Sequence, residues 1–98
     1  MRIITHKAIL QYAELHAEAR LALDEWYIKT EKSRWDCFSD IKQTFNSVDS
    51  VGNQRYVFNV KGNSYRVIAL ILFVPKIVYI RFIGTHAEYG KIKDCSKI

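Results

Sequence analysis

Polar and apolar positions along the chain change period once, at a turn-rich stretch around residue 50. Before it the spacing is helical. Ile9, Tyr12 and Ala13 mark one helix over residues 7–16, and Ala19, Ala22, Leu23, Trp26, Tyr27 and Thr30 follow the i, i+3, i+4, i+7, i+8, i+11 template of a second. The face opposite that stripe carries Glu18, Asp24, Glu25 and Lys29. Trp26 and Tyr27 therefore read as anchors of a core. A shorter helix is predicted from Ser39, with Ile41, Thr44 and Phe45 inward, and "RIIT" at the start reads as an edge strand with Thr5 as the N-cap of the first helix. "NSVDSVGN", residues 46–53, reads as the loop that hands the helices over to strands.

After that loop the period is two, and three strands are predicted over residues 55–61, 64–74 and 77–83. Gly62-Asn63, with glycine leading, suits a type II′ hairpin turn, and Pro75-Lys76 reads as the next turn. Those turns set the register: Lys61 opposite Ser64, Asn59 opposite Arg66, Arg55 opposite Leu70, and Leu70 opposite Arg81. Because side chains alternate between faces, Arg55, Asn59, Lys61, Arg66 and Arg81 then share one face. Tyr56, Phe58, Val60, Tyr65, Val67, Ala69, Ile71, Val78, Ile80 and Phe82 share the other. The pattern predicts an α+β fold, N-terminal helices packed on the apolar face of a small, mostly antiparallel sheet, with the basic face open.

Composition agrees with one compact domain over residues 1–98: 49% of the chain is hydrophobic and 13% aromatic. No signal peptide is expected at "MRIITHKAILQYAELH", and the longest apolar run, residues 67–74, is far short of the roughly 20 residues of a membrane helix. The expectation is a cytoplasmic protein with no membrane contact. Cys37 and Cys95 stand alone and read as free thiols, and no ligand spacing for a metal or motif for a cofactor is present. Charge is the more informative quantity. Residues 51–98 hold 8 Lys+Arg against 2 Asp+Glu, whereas residues 1–50 hold 7 against 8, so the second half carries +6 and the first −1. Such an excess suits either a solvated lysine-rich surface or a polyanion such as nucleic acid.

A face of four cations and an amide fits phosphate groups, since arginine binds them bidentately and lysine as a point charge. Cutting RNA asks for more: a base for the 2′-OH, an acid for the leaving 5′-oxygen, and cations for the charge gathering on phosphorus oxygens. "YIRFIGTHAEYGKI" carries candidates, because a strand ending in Arg81 breaks at Gly84 into a segment with His86 and Tyr89 three residues apart. The same letters have a structural reading. Thr85-His86-Ala87-Glu88 fits a capping box, which makes His86 a first-turn surface residue. The two readings are compatible, with the cap as the scaffold. His6 and His16 read as ordinary surface residues. Which group is base and which acid stays open here, and Lys61 among neighbouring cations is a further candidate base.

"RYVFNVKGNSYRVIALI" followed by "VYIRFIGTHAEYGKI" resembles the HigB toxins of bacterial type II toxin–antitoxin modules, within the RelE/ParE-like group. The resemblance covers nearly the whole chain and is most specific at "VFNVKGN" and "YIRFIGTHAEY". It implies a RelE-like fold and a ribosome-dependent mRNA endonuclease working without a metal or other cofactor. It also implies a HigA-type helix-turn-helix antitoxin as partner, with operator DNA bound only through the complex. Lys61, Arg66, Arg81, His86 and Tyr89 are then the expected catalytic residues, and Arg55, Asn59, Lys61 and Lys91 the expected RNA contacts. Gly90 stands where sequences of this type often carry an aspartate, so the resemblance supplies no orienting carboxylate for His86 or Lys91. Two other functions remain open at this point: a non-catalytic, ParE-like gyrase inhibitor and a basic RNA-binding module.

Overall fold

The computed structural model describes residues 1–98. In chain order the elements are β1 (Arg2–Ile3), α1 (His6–Leu15), α2 (Arg20–Lys32), α3 (Phe38–Thr44), β2 (Val48–Gly52), β3 (Arg55–Val60), β4 (Tyr65–Leu72), β5 (Ile77–Thr85) and α4 (His86–Tyr89). The five strands form one sheet in the order β1-β5-β4-β3-β2. All neighbours are antiparallel except β1, which runs parallel to β5. The predicted α+β architecture holds, and the edge strand at "RIIT" is present. No helix is long and apolar enough to cross a membrane.

Alternation along the strands accounts for the core. Tyr56, Phe58, Val60, Tyr65, Val67, Ala69, Ile71, Val78 and Ile80 all belong to one buried cluster with Ile9, Leu23, Trp26 and Ile41 from the helices. Phe58 lies at its centre, fully buried, with Trp26, Phe45 and Trp35 around it at ring-centroid distances of 5.3, 5.2 and 6.4 Å.

Four expectations need correction. Residues 46–53 are not only a loop: Val48–Gly52 is an edge strand, made by pairing with β3 and bulged between Ser50 and Gly52. The turn after β4 takes four residues, 73–76, so Leu70 lies opposite Tyr79 and not Arg81. A second bulge then falls beside Ile68, whose partner is Phe82 while Ala69 pairs with Ile80, so Arg81 is the extra residue. Beyond it the faces exchange. Phe82 belongs to the arginine side, and β5 does not break at Gly84 but runs to Thr85. Gly84 serves the bulged strand sterically, since a Cβ there would stand 2.4 Å from the Phe82 ring.

Thr5 does occupy the N-cap position of α1, but its side chain caps nothing there. Its hydroxyl accepts the Ile80 N–H at 2.6 Å and so ties β5 to the start of the first helix. Thr5→Val leaves that amide unsatisfied and should lower the unfolding free energy by about 1–2 kcal/mol, whereas Thr5→Ser should stay close to the parent. Urea midpoints of the two variants check this; equal loss in both would place the effect elsewhere.

Candidate active site

β4 and β5 bring the site together at one end of the sheet. Arg66 pairs with Asn59 on β3 and with Gly84 on β5, so its side chain stands on the face away from the helices. It is 7% exposed and held by three acceptors. Nη1 donates to the carbonyls of Asn63 (3.0 Å) and Tyr65 (3.2 Å), and Nη2 meets His86 Nδ1 at 2.9 Å. The Tyr89 ring lies beneath the guanidinium, 5.5 Å from ring centre to Cζ, within cation–π range. None of the ion pairs in the structure includes Arg66. A desolvated cation with neutral partners only is costly, and an anion is what it lacks.

The capping box forms as the letters indicate. Thr85 Oγ1 accepts the Glu88 N–H (3.2 Å) and Glu88 Oε1 accepts the Thr85 N–H (2.8 Å), which fixes α4 at the end of β5. His86, exposed in the first turn, thereby points Nδ1 at Arg66. A guanidinium only donates, so Nδ1 accepts and the imidazole carries its proton on Nε2. Tyr89 is half-buried, and burial raises its pKa above the ordinary 10.0. The neighbouring Cys95 thiol and the Asp49 carboxylate push the same way, while Arg66 pulls against them. Tyr89 therefore holds its proton.

The remaining predicted residues are distributed around this centre. Arg55 Nη2 and Arg81 Nε both donate to the Ile98 carbonyl, at 3.1 and 3.0 Å, and Asn53 Nδ2 donates to the Ser96 carbonyl at 3.1 Å. The basic face is therefore not open throughout: the chain after α4 folds back across it, which explains why Val57 and Ile68 are buried there. Asn59 donates to the Ser47 hydroxyl beside Arg66. Lys61 is not brought to the His86–Tyr89 pair as a strand residue. It sits at φ 54 in the turn after β3, on the rim of a small groove with Trp26, Lys29 and Phe45. Lys91 is exposed just beyond α4. Two contributors were not foreseen, Cys95 and Asp49. Cys95 carries no spacing signal, and Asp49 lies on the strand that the turn-rich letters concealed.

With that geometry in place, comparison with known proteins settles the class: the chain belongs to the HigB toxin family, RelE-like toxic components of toxin–antitoxin systems, whose model matches residues 19–92. It is 34% identical over 91 residues to the mRNA interferase toxin HigB of Escherichia coli K12, covering 91% of this chain and 88% of that one. An mRNA interferase HigB of Escherichia coli O6:H1 is 32% identical over 94 residues, 94% of this chain and 91% of the relative.

Two measurements probe the site without any substrate. Nitrogen-15 spectra of His86 should show a pyridine-type Nδ1 and a protonated Nε2, and Arg66→Ala should release that preference; an Nδ1–H tautomer in the parent would contradict the contact. The cap is acid-sensitive in a stated direction. Its bonds from the Thr85 amide and hydroxyl hold the Glu88 pKa below the ordinary 4.5, so the cap's contribution is complete above 4.5 and lost as pH falls through the lower folded value. Amide exchange in α4, corrected for its intrinsic pH dependence, should accelerate only below that point.

Proposed function

We propose that the chain is the mRNA interferase toxin of a toxin–antitoxin pair, an endoribonuclease that stops translation by cutting messages on the ribosome. The observation that carries the reading is Arg66, a buried cation with no carboxylate partner, set between an exposed histidine and a protonated tyrosine. Family membership and the names of the relatives support the same reading. The partners are mRNA on the ribosome and a HigA-type helix-turn-helix antitoxin, with operator DNA reached through the complex, and the place of action is the cytoplasm.

In the mechanism, RNA supplies its own nucleophile. The scissile phosphate draws the Arg66 guanidinium toward its non-bridging oxygens, which frees the Nδ1 lone pair of His86. That nitrogen takes the 2′-OH proton as the 2′-oxygen bonds to phosphorus. The bond from phosphorus to the 5′-oxygen breaks, and Tyr89 gives its proton to the leaving oxygen. Products are a 2′,3′-cyclic phosphate and a 5′-hydroxyl. Arg66 and Arg81 stabilise the charge that develops on phosphorus oxygens, and Arg55, Asn59, Lys61 and Lys91 hold the flanking backbone.

Arg66→Ala should cost about 10²–10³ in cleavage rate and relieve toxicity. His86→Gln and Tyr89→Phe should each cost roughly 10² or more. A substrate with sulfur in place of the bridging 5′-oxygen separates the roles, because a thiolate leaves without a proton. On it Tyr89→Phe should recover and His86→Gln should not; recovery of neither would remove Tyr89 as the acid. In cells, primer extension on a reporter message after induction should show new 5′ ends within the reading frame. Intact messages with a DNA-damage response would support gyrase inhibition instead.

A further inference from the structure

The outer edge of β5 is only partly covered. β1 stops at Ile3, opposite Val78, and beyond it the Ile80 N–H is taken by the Thr5 hydroxyl. The bulge at Arg81 resets the alternation, and the Thr85 N–H turns outward to Glu88. Ile83, two residues before Thr85, turns its N–H and carbonyl to the same outer side, where the sheet has no further strand. Alongside this stretch, between β5 and α1, runs a groove of about 330 Å³ lined by Tyr12, Leu15, Ile80, Arg81 and Ile83 among others. Tyr12 Oη is buried and has no hydrogen-bond partner. Leu15 is 83% exposed.

We propose that this edge and groove are the docking surface for an extended segment of the antitoxin, added to the sheet as a strand beside β5, with an acidic side chain on Arg81. Unpaired main-chain groups at Ile83 call for another backbone, which RNA does not supply. The Tyr12 hydroxyl offers a polar anchor inside an otherwise apolar channel, and Leu15 and Ile80 accept alternate apolar side chains. A second copy of this chain suits the surface poorly: it carries +5, and the cation at the rim asks for an acidic partner. The consequence is regulatory. Arg81 reaches both this groove and the arginine face, so a docked segment takes from the RNA one of its charge-stabilising contacts. The identity of the occupant, though not the open edge, rests on the toxin–antitoxin reading above.

Hydrogen exchange of the full chain with and without the full-length antitoxin encoded beside it, together with Leu15→Glu, tests the proposal. The exposed end of α1 tolerates that change, and it meets an acidic segment with like charge. Expected are slowed exchange at Ile83 on binding and a loss of antitoxin affinity of about tenfold or more in Leu15→Glu, with mRNA cleavage by the free variant unchanged. Equal affinity of variant and parent, unprotected Ile83 in the complex, or no complex at all would overturn the proposal. So would a change in self-association of the free chain on Leu15→Glu, which would assign the groove to a second copy. A parent chain that binds with Ile83 protected yet fails to cut mRNA would overturn the nuclease reading and leave the docking surface standing.

Discussion

The guanidinium of Arg66 is withdrawn from water and given no counter-ion, and the architecture around it follows from that constraint. Burying an unpaired ion costs several kcal/mol after relaxation, so the protein must offset it with the contacts it can provide without neutralising the charge. It does so with one carbonyl of the turn after β3 and one at the start of β4, an imidazole nitrogen and a tyrosine ring. Each of these is a neutral partner and leaves the charge uncompensated. A carboxylate in the same place would stabilise the fold and occupy the site.

Holding those partners requires that β4, β5 and α4 meet at one corner. The cap made by Thr85 and Glu88 sets the rotation of α4, and through it His86 and Tyr89 arrive together. The bulge at Arg81 makes the geometry work, since it shifts Phe82 and Gly84 onto the arginine face and leaves room beside Arg66 for the helix that follows. The segment past α4 completes the surround by delivering Cys95 to Tyr89 and backbone carbonyls to Arg55 and Arg81.

Much of this was legible in the letters. Nine of the ten residues placed on the apolar face lie in the core, because period-two alternation is a local property that packing rewards. The capping box was legible for the same reason. Phe82 was misplaced because a bulge is decided by what the strand packs against, and nothing in "YIRFIG" announces one. Arg81 kept its predicted face although its partner was wrong, since a turn two residues longer shifts register by two and preserves parity. The strand Val48–Gly52 was hidden because its letters favour turns and only pairing with β3 makes it extended. The contact between Arg66 and His86 joins residues 20 apart and depends on the reset register, which no spacing rule encodes.

The central claim is that Arg66 is kept unpaired for a phosphate, at some expense to the fold. Thermal and urea unfolding of the parent and of Arg66→Met, each with and without a short RNA carrying a 2′-deoxy residue at the cut position, tests it directly. Arg66→Met should be as stable as the parent to within about 1 kcal/mol, or more stable, and the RNA analogue should stabilise the parent alone. A variant several kcal/mol less stable than the parent, yet stabilised equally by the analogue, would make Arg66 a structural residue and contradict the account.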